Sequence, residues 1–80
     1  MVVSAYVLIQ AEVGKAGFVA DHVRHIAGIL STHGVAGPYD VIATAEADSV
    51  DELGRMIVSR LQMIEGVTRT LTCPVVHLEE

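Results

Sequence analysis

Residues 3–13 read VSAYVLIQAEV, a run of aliphatic and β-branched residues that predicts a first strand over this range. Its two parities are similar in character, because Val7 and Ile9 alternate with Tyr6 and Leu8. A strand of an antiparallel sheet with one solvated face should alternate apolar with polar residues instead. The stretch therefore indicates a strand that is covered on both faces.

Further elements follow from changes of hydrophobic period along the chain. They are a helix from Phe18 that Gly28 ends, strands Ile29 to Ala36 and Tyr39 to Ala47 joined at Gly37-Pro38, a helix after a capping box at Ser49 to Glu52, and, after Gly66, a strand from Val67 to Leu78. The predicted order is β-α-β-β-α-β.

This order predicts one α+β domain over residues 1–80 with the ferredoxin-like fold, a four-stranded antiparallel sheet with two helices on one face. The two helices cover a single face of such a sheet, and 80 residues leave no third layer for the other. A second subunit packed face to face is the predicted cover. The protein is therefore expected to be an oligomer.

Composition supports the same conclusion. The chain is 51% hydrophobic, and a domain of 80 residues has a small core for its surface. A single cysteine, Cys73, excludes an internal disulfide, and the spacing of Cys and His fits no structural zinc site. Association of subunits is the remaining source of added stability.

Charge and hydropathy restrict the partners and the location. The longest uninterrupted apolar run, Ala5 to Ile9, is far too short for a membrane helix, and the N-terminus lacks the features of a secretory signal. A cytoplasmic protein is expected. The net charge of −5 and five scattered Lys and Arg residues offer no basic stripe, which argues against direct DNA binding.

The histidines and the cysteine offer little chemistry in sequence. His22 and His25 have a spacing that can hold a metal, but with no third ligand nearby they are interpreted as part of a solvated helix face. His33 and His77 are isolated and are expected at the surface or an interface, and Cys73 is expected to be a buried or half-buried thiol. No metal or cofactor is predicted, and no catalytic motif is present.

A group of polar residues at two strand ends is suited to a small zwitterion. The group comprises Gly37, Tyr39 and Asp40 in the hairpin and Thr68, Thr70 and Thr72 in the last strand. Asp40 can pair with an ammonium group, while threonine hydroxyls can donate to a carboxylate. The alternative is structural, since Asp40 can begin a strand and threonines favour β structure.

Four segments resemble the ligand-binding (RAM) domain of the Lrp/AsnC family of transcriptional regulators. They are Ala5-Tyr6-Val7-Leu8-Ile9, Val35-Ala36-Gly37-Pro38-Tyr39-Asp40, Asp51-Glu52-Leu53 and Ile64-Glu65-Gly66-Val67-Thr68-Arg69-Thr70-Leu71-Thr72. The resemblance implies sheet-on-sheet dimers, often four in a ring, with amino-acid effectors held between subunits. It implies ligand-binding roles for Gly37, Tyr39, Asp40, Thr70 and Thr72.

Two features differ from the family pattern. Ala36 stands where a hydroxyl residue is common and Pro38 where a polar one is usual, so the effector or its affinity can differ. A helix-turn-helix domain, which full-length members carry, is not expected, because the first strand begins at the initiator Met. The resemblance thus implies a stand-alone effector domain that does not bind DNA itself.

Three functions remain open from the sequence. The first is a non-catalytic oligomeric module that binds an amino acid between subunits and so changes assembly or partner binding. The second is a dimeric α/β-barrel enzyme of the monooxygenase or isomerase kind, with His33, His77 or Tyr6 in an enclosed pocket. The third is a structural partner that assembles with a full-length regulator. In the first case Asp40→Ala should weaken effector binding and leave the fold intact.

Overall fold

A computed structural model describes residues 2–78. Its elements are β1 Val3–Ala11, α1 Ala16–Val23, β2 Ile29–Gly34, β3 Val41–Ala47, α2 Val50–Met56, a π-helical segment Ile57–Leu61 that continues α2, and β4 Val67–Pro74. The order confirms the predicted ferredoxin-like βαββαβ arrangement. Residues 1, 79 and 80, which the predicted domain of residues 1–80 includes, lie outside the described part.

The strands pair antiparallel throughout, in the spatial order β2-β3-β1-β4. The central strand β1 pairs with β3 on one side and with β4 on the other, so each of its residues from Ala5 to Ile9 has two cross-strand neighbours. Leu8, for example, lies opposite Ile42 and Leu71. Because paired residues share a face, this register fixes which side chains the helices cover.

The helices cover one face of the sheet, which we call the covered face. The core lies between the helices and this face. Its strand residues follow a strict alternation in β1 and β3, as expected for one buried parity. The buried core consists of Ala5, Val7, Ile9, Val41, Ala43 and Ala45 from the strands and Val19, Val23, Leu53, Ile57 and Leu61 from the helical segments. Within residues 2–78, each helix is too short or too polar to cross a membrane.

Two glycines turn the chain from helix to strand as the sequence predicts. Gly28 and Gly66 have φ values of +98° and +100°, a left-handed conformation that side chains with a Cβ rarely adopt. A Cβ on Gly66 would also lie 3.1 Å from the Cβ of Lys15. Both positions therefore need glycine, and each lies directly before a strand, five residues after the last helical residue, Val23 or Leu61.

The N-terminus of α2 is capped by Ser49, whose hydroxyl accepts a hydrogen bond from the backbone N–H of Glu52 at 3.1 Å. This confirms the first half of the predicted capping box. From Ile57 the helix widens into the π-helical segment, where the backbone N–H of Gln62 donates to the carbonyl of Ile57 at 2.9 Å. That change of geometry has no counterpart in the sequence pattern.

Several predicted boundaries were wrong by a few residues. β1 ends at Ala11, not Val13, and β4 ends at Pro74, not Leu78. The first helix begins at Ala16, two residues before Phe18, and ends at Val23. The hairpin reversal is longer than a Gly-Pro turn: it is closed by the backbone N–H of Val35 donating to the carbonyl of Asp40 at 2.9 Å.

Candidate functional site

The second face of the sheet, which we call the open face, carries two cross-strand rows with no helix above them. One row joins Leu71, Leu8, Ile42 and His33, and the next joins Cys73, Tyr6, Thr44 and Ser31. Tyr6 is 52% exposed and Leu71 is 46% exposed, whereas Leu8 and Ile42 are half-buried. Both parities of β1 thus carry apolar side chains, and the chain's own helices cover only one of them.

Polar groups on the open face are partly paired with each other. The hydroxyls of Ser31 and Thr44 share a hydrogen bond of 2.7 Å between neighbouring strands β2 and β3. Cys73 is exposed beside Tyr6, whereas the sequence predicted a thiol that is at least half-buried. Its exposure follows from its position on the face that the chain's own helices leave bare.

The hairpin residues lie at the end of the seam between β1 and β3. Asp40 is half-buried, and its Oδ2 accepts a hydrogen bond from the backbone N–H of Ala11 at 2.8 Å. Its own backbone N–H donates to the carbonyl of Ile9 at 2.9 Å. One carboxylate oxygen of Asp40 therefore holds β1 to the hairpin, and the other oxygen can accept a further hydrogen bond.

The remaining hairpin residues form an exposed loop beside that carboxylate. Gly37 and Pro38 are exposed and Tyr39 is half-buried. The side-chain amide of Gln10 donates to the carbonyl of Pro38 at 3.3 Å, which ties the loop to β1. The φ angle of Gly37 is not positive, so this glycine supplies an open surface and not a left-handed turn.

The threonines of the last strand differ in what they contact. Thr70 lies opposite Ile9 and Thr72 opposite Val7, so both share the parity of the covered face, at its β4 edge. Thr68 donates to the carbonyl of Gln10 at 3.1 Å, a bond that secures the β4 end of the sheet. The structure thus separates Thr70 and Thr72, which are available at the edge, from Thr68, which has a structural contact.

A residue that the sequence did not single out joins this edge. The side-chain amide of Gln62 donates to Oγ1 of Thr70 at 2.9 Å. Because Oγ1 of Thr70 accepts that bond, its own hydrogen is free to be donated to a carboxylate. Gln62 follows the π-helical segment, and its partner is eight residues away across the Gly66 turn, so no sequence spacing rule links them.

The two predicted halves of the site do not form one pocket in a single protomer. Thr70 and Val41, which follows Asp40, pair with Ile9 from opposite sides, so β1 lies between the two halves. Two strand spacings separate the backbones by about 10 Å. The groove that contains Thr70 and Thr72 is not lined by Tyr39 or Asp40. The five predicted ligand-binding residues therefore remain a prediction that needs a second copy.

The histidines lie outside these positions. Nδ1 of His22 and Nδ1 of His25 each lie within 2.9 Å of the carbonyl oxygen four residues earlier, and both line a groove of about 570 Å³ on the helix side. His33 lies on the open face and is exposed. Among residues 2–78 no three His, Cys, Asp or Glu side chains are grouped so that they could hold a metal.

An enzyme of the α/β-barrel kind would need an enclosed pocket between sheet and helices. In the described part of the chain this space is filled by the aliphatic core, and no polar or charged residue among residues 2–78 is buried there. His77, which the sequence offered for such a pocket, lies with Val2 and Val75 at the far end of the sheet. The geometry favours sites at the surface.

A four-stranded antiparallel sheet with two helices on one face and an apolar second face defines a ferredoxin-like α+β domain. The chain belongs to the Lrp/AsnC ligand binding domain family, whose model matches residues 4–78. A curated relative, the uncharacterized HTH-type transcriptional regulator PH1916 of Pyrococcus horikoshii, is 35% identical over 54 residues. The match covers 68% of this chain and 36% of that regulator, so the chain spans about a third of its relative's length.

Solved structures share the fold. TTHA0845 from Thermus thermophilus has a TM-score of 0.89 at 24% identity, over 98% of each chain. The transcriptional regulator NMB0573 of Neisseria meningitidis, solved as a complex with L-Met, has a TM-score of 0.83 at 18% identity, over 94% of this chain and 50% of the regulator. The chain is therefore a regulatory effector-binding domain by family and a ferredoxin-like domain by structure.

Proposed function

We propose that the protein is an oligomeric, non-catalytic module that binds an amino acid where subunits meet, and that binding changes its assembly or its affinity for a partner. The observation that carries the proposal is the division of the site. Asp40 and the Thr70 edge each offer groups suited to one end of a zwitterion, and β1 separates them within one protomer. A neighbouring copy can supply the missing half.

The open face supports the assembly that this proposal needs. Leu8, Ile42 and Leu71 form a continuous apolar row, and Tyr6 lies next to it. Burying an aliphatic side chain of this size contributes about 1.5–3 kcal/mol, before the cost of association is subtracted. A two-fold axis would use each of these residues twice, which makes sheet-on-sheet pairing of two copies the favoured arrangement.

The chemistry at the two halves is complementary. The free oxygen of Asp40 is an acceptor for an ammonium group, and the hydroxyl of Thr70, held by Gln62, is a donor to a carboxylate. The L-Met complex of the neisserial regulator is consistent with an amino acid as effector in this fold. The proposed effector is therefore a free α-amino acid.

Such a ligand acts by linkage and needs no catalysis. A ligand that contacts two subunits binds only the associated state, and saturation at 100 times its dissociation constant would stabilise that state by about 2.7 kcal/mol. The change in assembly then exposes or hides surfaces for a partner. A domain whose core is aliphatic can therefore still regulate a partner.

Isothermal titration calorimetry of the full chain against each of the twenty amino acids tests the proposal. At least one should bind, and Asp40→Asn should weaken that binding about tenfold or more, because the amide keeps an acceptor for Ala11 but loses the charge. Asp21→Asn, on the exposed surface of α1, is the matched control and should bind as wild type does. Absence of heat with every amino acid would overturn the proposal.

A co-assembly role is a second candidate, because the relatives that the chain matches are HTH-type regulators and the match covers 36% of their length. In that case the protein would form mixed oligomers with a full-length regulator through the open face. Native mass spectrometry of the two proteins mixed in equal amounts should then detect both chains in one complex. Complexes of only one kind of chain would exclude this role.

A further inference from the structure

A groove runs between the helical segment of residues 50–61 and the edge strand β4, and we call it the α2–β4 groove. Its volume is about 420 Å³. The residues that line it are Val50, Leu53, Gly54, Ile57, Val58, Gln62, Thr70, Thr72 and Pro74. It is thus adjacent to the threonine half of the proposed effector site.

The walls of the groove differ in chemistry. The helical wall presents the aliphatic side chains of Val50, Ile57 and Val58, with Val50 61% exposed and Val58 60% exposed. The opposite rim carries Thr70 and Thr72, and the hydroxyl of Thr70 accepts from the amide of Gln62. None of the lining residues is charged. A ligand here would place an apolar group against the helix and a polar group at the β4 rim.

Local backbone features create this opening. Gly54 lies inside α2, and a Cβ built on it would meet no atom within 4 Å, so the missing side chain leaves space open to the groove. The π-helical segment begins at Ile57 and ends at Leu61, just before Gln62. π-Helical turns are rare in proteins and occur frequently at functional sites.

We infer that the α2–β4 groove holds the side chain of the effector and selects amino acids with an aliphatic side chain or that of methionine. The inference rests on the proposed function and adds the class of ligand. Thr70 and Thr72 bind the carboxylate of the amino acid at the rim, and its side chain lies against Val50 and Val58. A charged side chain would lose hydration in the groove without gaining a partner.

Filling the groove from Gly54 tests the inference without damaging the core. Gly54→Leu places a side chain in open space on a helix that tolerates leucine well, so the protein should fold as wild type does. Gly17→Leu is the matched control, because Gly17 is an exposed glycine in α1 that also has no atom within 4 Å of a built Cβ. Circular dichroism verifies folding of both variants.

Binding is measured by calorimetry with leucine, isoleucine, valine, methionine, glutamate, lysine and asparagine. Wild type should bind at least one of the first four about tenfold or more tightly than glutamate or lysine. Gly54→Leu should weaken that binding about tenfold or more, and Gly17→Leu should leave it unchanged.

Four results would overturn the inference. Preference for a charged or amide side chain, or binding that Gly54→Leu does not affect, would reject the groove as the side-chain site while the proposed function stands. A change in oligomeric mass in Gly54→Leu with unchanged amino-acid binding would assign the groove to protein contacts. Absence of binding by all twenty amino acids would remove the proposed function as well.

Discussion

The two faces of the sheet use the same strands for different purposes. On the covered face, Val7, Ile9 and Val41 are fully buried beneath the chain's own helices. On the open face, the residues between them include Leu8 and Tyr6, which are nearly as apolar but have no cover. If a second copy covers the open face, as we propose, the difference teaches that the alternation of a strand reflects every surface that covers it in the assembled state.

The two faces also differ in whether their polar side chains are hydrogen-bonded. On the covered face, Oγ1 of the half-buried Thr32 is buried without a hydrogen-bond partner among residues 2–78. The open face includes Ser31 and Thr44, which bond to each other. An apolar centre with satisfied polar groups around it is typical of interfaces between subunits. The open face therefore has the composition of an interface.

The largest effect is expected from a charge on the open face. Leu71→Asp removes an apolar contact and buries a carboxylate in the proposed interface twice, once per subunit. The free energy of association should weaken by about 3–6 kcal/mol, which raises the dissociation constant of the dimer at least a hundredfold. Sedimentation velocity should detect monomers, whereas Val13→Asp, at a fully exposed position, should leave the mass unchanged. An unchanged mass for Leu71→Asp would contradict the difference between the faces.

Truncation on the covered face should act on folding instead. Leu61 is fully buried in the core, so Leu61→Ala should lower the free energy of unfolding by about 2–5 kcal/mol. Denaturation in urea at a fixed protomer concentration measures this. Met63→Ala, at a position that is 76% exposed, is the control and should change it by about 0.5 kcal/mol or less. A loss below about 1 kcal/mol for Leu61→Ala would be inconsistent with the described core.

Asp40 lies where the seam of β1 and β3 ends, and it should have two separable roles. Asp40→Ala removes the acceptor for the Ala11 N–H and should cost about 1–3 kcal/mol of stability. The variant is still expected to fold, as the sequence predicts, but with lower stability. Asp40→Asn should keep most of the stability and bind the effector about tenfold or more weakly. Equal stability of Asp40→Ala and wild type in thermal denaturation would show that the bond to Ala11 contributes nothing.

The smallest effect contrasts one hydroxyl on each face. Thr32→Val removes an unpartnered buried hydroxyl and should raise the free energy of unfolding by up to about 1 kcal/mol. Thr44→Val breaks the bond to Ser31 and should lower it by about 1 kcal/mol. Urea denaturation of both variants measures the difference. Changes of the same sign would contradict the assignment of these hydroxyls.

The parts of the fold that depend on local chemistry were predictable from sequence. Gly28 and Gly66 need a left-handed conformation, and Ser49 can cap a helix, whatever the rest of the molecule does. Strand ends were less predictable, because Val13 and Val76 continue the apolar character of their strands beyond the last paired residues. Pairing ends where the partner strand ends, and the sequence of one strand does not indicate where its partner ends.

The candidate site was predictable only in part. Asp40 and Thr70 are conspicuous in the sequence, but their separation by β1 depends on the strand order. The contribution of Gln62 depends on a π-helical segment that has the same apolar spacing as an α-helix up to Leu61. Tertiary geometry, and not residue type, places this amide beside Thr70.

The most direct measurement is the solution mass of the wild-type protein by native mass spectrometry at low micromolar concentration, with and without amino acids. An assembly of two protomers or a multiple of two is predicted, with a population that shifts when the effector is added. A strict monomer under both conditions would mean that Tyr6 and Leu71 remain in contact with water. That result would contradict the conclusion that the open face is a subunit interface.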